Sequence, residues 1–332
     1  MPTLFSPLSF AGLTLRNRVA MPPMWSGKAT PQGLVTPAII DYHRVRAAAG
    51  TALVIVEHAF VHPQGRHSST QIAVHDDACI EGLSKLAAAI RAEGSVACLQ
   101  VSHAGARASS RVTGLPVVAP SPVVTTREAD PDAPAEMSRA QIAEVVEAFA
   151  EAAARARTAG FDAVEVHAAH GFLLSQFLSP LTNRRTDEFG GDHERRGRIH
   201  MEVLAAVRER AGADFPVFVR LGMHDERPGG LTLAPACVTA SHLASAGAAL
   251  IDVSGGLAGS DDPGRGPGYF VGYAEALKEV LDVPVLVAGG IADSRMADLI
   301  IRSRRADIVG IGRAMLENPG WTRAAAEVLG QV

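Results

Sequence analysis

Cysteine is scarce in this chain: three among 332 residues, with Cys79, Cys98 and Cys237 far apart and no CxxC pair. That spacing leaves no disulfide framework and no thiolate site for zinc or an iron–sulfur cluster. An excess of one charge is also missing, since 31 Lys and Arg face 35 Asp and Glu for a net charge of −4. With the arginines spread along the chain, nucleic acid and membrane surfaces are excluded as partners. No apolar run reaches transmembrane length, and the N-terminus MPTLFSPLSFAG has no basic segment ahead of a long apolar one, so the chain reads as cytoplasmic. No strand–helix GxGxxG occurs, which argues against a Rossmann dinucleotide fold. Lysine is limited to Lys28, Lys85 and Lys278, the last two in helical segments and the first in a loop, which leaves little for a Schiff-base aldolase.

Present instead is a large apolar fraction, 47%, enough for an extensive core. Short β-branched runs alternate with helical stretches eight times. The strands read as Arg18–Met21, Thr51–Glu57, Ser95–Val101, the segment beginning at Phe161, Pro216–Leu221, Ala249–Ser254, Pro284–Ala288 and Ala306–Ile311. Pro37 at the first helical position and Gly50 past the end delimit the first helix. Ser138 with Gln141 three residues on forms a capping box for the long helix ending at Gly160. Residues 104–136 read as a long functional loop. An open doubly wound sheet is the competing arrangement. The count and even spacing favour a closed α/β barrel, the (β/α)8 or TIM barrel, as one domain over residues 1–332.

In such a barrel the residues at the strand ends share one rim. The first strand supplies Pro23, Met24 and Trp25, the second Glu57 and His58, the third Gln100 and His103. The fourth supplies His167 and His170, the fifth Arg220, and the sixth Ser254 with Gly255 and Gly256. Gly289 and Gly290 follow the seventh strand, Gly312 and Arg313 the eighth. Glycines after strands seven and eight, with a forked arginine donor, point to a bound phosphate. Gln100 and Arg220 suit the edge of a planar heterocycle. The His167–His170 pair admits a metal reading and a structural one, but no convincing third ligand lies beside it. Two donors gripping a carbonyl or carboxylate oxygen is the favoured role, and metal is not expected.

Nearly the whole chain then resembles one family. The segments LFSPLSFAGLTLRNRVAMPPM, LVIVEHAFVHPQGR, LQVSHAGARAS, HAAHGFLLSQFLSPLTNRRTDEFGG, VRL at 219–221 and IVGIGRAML at 308–316 are similar to the old yellow enzymes. These are flavin-dependent ene-reductases, and the likeness is to their bacterial, thermophilic-type class, which includes the xenobiotic reductases. The resemblance implies a barrel holding FMN, with NADPH or NADH as reductant and a small activated alkene as substrate. It implies that Pro22, Pro23, Met24, Trp25 and His58 line the flavin and that Gln100 holds its pyrimidine edge. Arg220 would stand beside N1 and O2, while Gly290, Gly312 and Arg313 cradle the phosphate. His167 and His170 would bind the substrate's activating oxygen, with Phe172 and Trp25 beside it. A homodimer or homotetramer is the family habit.

Three departures from the family pattern stand out. Phe172 occupies the place of the usual proton-donor tyrosine, Trp25 that of a cysteine, and Gly27 that of a second tyrosine. Of the remaining tyrosines, Tyr42, Tyr269 and Tyr273, the best substitute donor is Tyr269. The expected reaction is reduction of a C=C bond activated by a carbonyl or nitro group. The alternative is an oxidative flavoenzyme of the same fold, an amine demethylase or a dehydrogenase. The chain also stops soon after the eighth strand, so no C-terminal segment is expected to reach a neighbouring active site.

Overall fold

The computed structural model describes residues 1–124, 133–259 and 265–331. Eight parallel strands close on one another: β1 (Val19–Met21), β2 (Leu53–Phe60), β3 (Val96–Ser102), β4 (Ala163–Ala168), β5 (Val217–Gly222), β6 (Leu250–Ser254), β7 (Val285–Val287) and β8 (Ile308–Gly310). Closure comes from β8 against β1, through the pairs Val309 with Val19 and Gly310 with Ala20. The barrel is therefore the expected one. An N-terminal hairpin, Leu8–Phe10 with Leu13–Leu15, lies outside it and was not legible as strands. Its Leu15 is fully buried, and its Phe10 ring contacts Phe218 at 5.9 Å, so it plugs the N-terminal end.

The helices covering the strands are α1 (Pro37–Ala48), α2 (Ile80–Ala92), α3 (Arg139–Thr158), α4 (His193–Ala211), α5 (Leu233–Ser245), α6 (Val271–Lys278), α7 (Ser294–Arg302) and α8 (Trp321–Val328). Their starts follow capping chemistry. Thr36 accepts from the Ile39 amide at 3.4 Å, and the Ser138–Gln141 capping box forms in both directions. The long loop after β3 contains a four-residue helix, Ser110–Thr113, and a paired bridge, Val118–Ala119 with Ala135–Glu136; the rest of that expectation, 125–132, lies outside the described residues.

Side chains alternate in and out along each strand, and this alternation sorts the barrel interior into layers. The lower layer is apolar: Ile55, Cys98, Ala163, Phe218, Leu250, Leu286 and Ile308 pack together, all fully buried. Two residues further along the same strands, the inward positions become polar. Cys98 gives way to Gln100, Ala163 to Glu165, Phe218 to Arg220 and Leu250 to Asp252. A further step of two leads to His167 and Ser254. One period therefore packs the floor and places the chemistry above it.

The second strand differs from its expected form. It runs to Phe60, and its register against β3 slips between Val56 and Ala59. Glu57 and His58 thus sit within an irregular stretch of strand, not after it. Such a slip re-aims side chains at the rim.

Candidate active site

Register alone brings the polar residues together. Gln100 is paired with Glu165, His167 with Arg220, and Arg220 with Asp252. Gln100 Nε2 donates to Glu165 Oε1 at 2.8 Å. The Arg220 guanidinium is 3.2 Å from Asp252 in an ion pair whose atoms are not aligned as a hydrogen bond. Burial pushes the Glu165 carboxyl well above its usual range, and the neighbouring Asp252 charge adds to this, while Arg220 opposes it. Asp252 is raised too, by burial against the Arg220 attraction. A single cation facing two buried acids favours one protonated carboxyl, and the geometry makes it Glu165.

Above this layer is a cavity of about 430 Å³. His58, His167, His170 and Phe172 form its wall, Pro23, Met24 and Trp25 its flank, and Gln100 and Arg220 its floor. The two histidine rings of the H-x-x-H pair are 4.9 Å apart, and Phe172 stands 4.8 Å from His167 and 5.3 Å from His58. His170 adopts a left-handed backbone, φ 58°, fixed by its amide bonding the Gly255 carbonyl and by Arg107 donating to its own carbonyl at 2.8 Å. Burial first, then the nearby positive groups, lowers the proton affinity of His167 and His170 well below that of free imidazole, so both are neutral. His167 Nδ1 is buried without a partner, an orphan that a ligand would satisfy.

A second cavity of about 290 Å³ adjoins the first and shares Met24 and Arg220 with it. Pro22, Gly289, Gly290, Gly312 and Arg313 line it, as the strand-end glycines suggested. Gly289 and Gly290 have positive φ, and a Cβ on either would meet the Tyr269 ring at 2.8 or 3.1 Å. Arg313 lies in a short helix, Arg313–Glu317, that the sequence did not disclose.

The residues present fit a flavin mononucleotide. The glycine-lined lobe with Arg313 suits the phosphate, the shared Met24 and Arg220 mark the junction, and Gln100 lies where a pyrimidine edge would be read. Tyr269 is the exception among the expected site residues. It lines the phosphate lobe, where Arg313 Nη2 approaches its hydroxyl at 3.5 Å, and it is absent from the wall that holds the histidines. His103 likewise turns away from the cavity: it is buried, with Gly65 packed on its ring and the Gly105 amide bonded to Nδ1.

Sequence reasoning missed several contributors. His67 and Arg107 line the cavity from loops well beyond their strands. Gln71 bonds His58 from below. Glu57 clips the loop after β1 by accepting from the Ser26 amide and hydroxyl, each at 2.9 Å, and burial raises its carboxyl to about 7. His67, Arg107 and Gln71 follow no strand end directly, so position alone could not flag them; Glu57 was on the expected rim, and only its clip on Ser26 was missed.

The NADH:flavin oxidoreductase / NADH oxidase family model matches residues 3–331. An NADPH dehydrogenase of Geobacillus thermodenitrificans is 40% identical over 98% of this chain and 94% of that protein. A metal reductase of Desulforamulus reducens is also 40% identical, over 96% of this chain but 48% of that protein, so the chain spans about half the length of that relative. Among solved structures, morphinone reductase superposes with a TM-score of 0.88 and 30% identity, covering 100% of this chain and 90% of that one. The chain belongs to the NADH:flavin oxidoreductase / NADH oxidase family, that of the old yellow enzymes.

Proposed function

We propose that this protein is an FMN-dependent NAD(P)H oxidoreductase that reduces alkenes conjugated to a carbonyl or nitro group. The observation that carries this reading is the neutral His167–His170 pair on the wall of a cavity that opens onto a glycine- and arginine-lined lobe. When bound, FMN reduced by NAD(P)H would supply the hydride. Arg220 places a fixed positive charge where negative charge develops on reduction, and Gln100 is held for the flavin edge by Glu165. Neutral imidazoles at His167 and His170 donate to the activating oxygen and stabilise the charge pushed onto it. Trp25, 53% exposed, borders the cavity and limits what can enter. Phe172 offers no transferable proton, so the α-carbon takes its proton from water. That step is the slow one.

Family likeness and the cavity support the first part of this reading; the substrate class rests on the cavity alone. Anaerobic NADPH oxidation with 2-cyclohexenone tests it, with cyclohexanone as the expected product. NADPH consumption without cyclohexanone contradicts it. One observation, the lost hydroxyl at Phe172, favours a second reading in which hydride is removed from an amine or a saturated substrate. That reading requires flavin bleaching by a secondary or tertiary amine with no NAD(P)H present.

A further inference from the structure

His58 is set apart from the other cavity histidines by an amide that fixes its proton. Gln71 is fully buried, and its orientation is determined by partners whose roles are unambiguous. Its Oε1 accepts from the His67 backbone N–H at 2.7 Å, and its Nε2 donates to the His58 carbonyl at 3.1 Å. The same Nε2 lies 2.7 Å from His58 Nδ1. An amide nitrogen only donates, so Nδ1 is an acceptor and a neutral His58 carries its proton on Nε2. Neutrality follows from burial and from the positive charge of Arg107 and Arg220, which bring the ring down to about 3. With Nδ1 occupied by Gln71, the Nε2–H edge is what His58 presents to the cavity it lines.

We infer that His58 is a specificity-determining donor, which with the His167–His170 pair selects substrates carrying a second hydrogen-bond-accepting oxygen, such as imides and nitroalkenes. Its ring stands 6.4 Å from His167 and 5.3 Å from Phe172, so a ligand held by the pair lies within its reach. Phe172 between them is apolar and cannot bond that second oxygen itself. Among the described residues lining the cavity there are two arginines and no carboxylate, a field that favours acceptor-rich ligands. Gln71 is a positioning residue, since it acts through the His58 tautomer. This inference rests on the proposed alkene-reductase reading, deepening its substrate class.

The test uses the FMN-loaded protein and two unreactive probes, succinimide and 2-pyrrolidinone, five-membered rings that differ by one carbonyl. Binding is read by titration calorimetry, so failure of alkene turnover does not affect it. Succinimide binds up to about tenfold more tightly, the factor of one net hydrogen bond. His58→Leu abolishes that preference and His58→Gln, which keeps an N–H donor, retains part of it. Gln71→Leu lowers it, and ¹⁵N spectra of the histidine rings then show His58 leaving the Nε2–H form seen in the wild type. Equal binding of the two probes by the wild type overturns the inference. So does an unchanged preference in His58→Leu, or an Nδ1–H signal for wild-type His58.

Discussion

Ser254 Oγ lies 2.6 Å from His170 Nε2 and receives a longer bond, 3.4 Å, from Arg220 Nη2. Arginine can only donate, so the serine oxygen accepts from Arg220; the hydroxyl keeps a second lone pair, and it is the proposed donor role of His170 Nδ1 that requires the serine proton to point to Nε2. His170 then carries its remaining proton on Nδ1, available to a ligand. The flavin-side cation and the substrate-side histidine are thereby joined through one hydroxyl. Ser254→Ala is expected to weaken 2-cyclohexenone binding about two- to tenfold, as one lost bond would. KM should carry most of the change, and a ¹⁵N spectrum should show His170 populating both tautomers. An unchanged KM with a single tautomer contradicts the relay.

We propose that Arg313, with Gly290 and Gly312 beside it in one cavity, holds the phosphate. Removing the forked donor in Arg313→Ala should raise the FMN dissociation constant about tenfold to a hundredfold, the scale of a bond to a charged group. Fluorescence of released FMN measures this directly. Riboflavin, which lacks the phosphate, should bind both proteins alike.

Phe172→Tyr restores a transferable proton beside His167, within a position that is otherwise packed and 5% exposed. General acid groups contribute about a hundredfold or more where proton transfer limits the rate. Reoxidation of the reduced enzyme by 2-cyclohexenone should therefore accelerate by at least about tenfold. Unchanged reoxidation means that Phe172 does not limit protonation.

Stability should fall on acidification. Six histidines, His43, His58, His103, His167, His170 and His200, have folded-state values depressed chiefly by burial. Below about 6.5, the ordinary imidazole value, the unfolded chain takes up protons that these buried rings refuse. Their contribution is thus present above that pH and lost as pH falls towards 3 to 4, where His58 and His103 (about 3) and His43 and His200 (about 4) titrate. Glu57, Glu165 and Asp252 are raised and act in the opposite sense, but they are three against these six, which the lowered His75 and His193 join. The melting temperature should be lower at about pH 5 than at about pH 7.5. A higher one at the acid value contradicts the neutral-histidine picture.

Much of this site was readable because barrel strands impose a period of two and a common rim. Gln100, His167, Arg220 and Arg313 all follow from strand ends, and the structure brings them around adjoining cavities. Tyr269 was picked out by the same logic, which is coarser for a residue so far beyond its strand. Following strand six places a residue on the active rim but not on a particular side of it, and Tyr269 packs over Gly289 and Gly290 instead. Gln71 and Arg107 were invisible because loops, free of the strand period, carry them into place. The Glu165–Asp252 pair was hidden by its residence inside strands that otherwise read as apolar. The N-terminal hairpin, three residues per strand, was too short for any periodic signal.

The measurement that tests the central claim most directly is anaerobic stopped-flow on the purified protein, following flavin absorbance. NADPH is mixed first and 2-cyclohexenone second. The account predicts bleaching by NADPH and recovery of the oxidised flavin with the enone, slowed by Phe172. Bleaching with no recovery would contradict alkene reduction and move the oxidative reading forward, and a protein that takes up no FMN would contradict both.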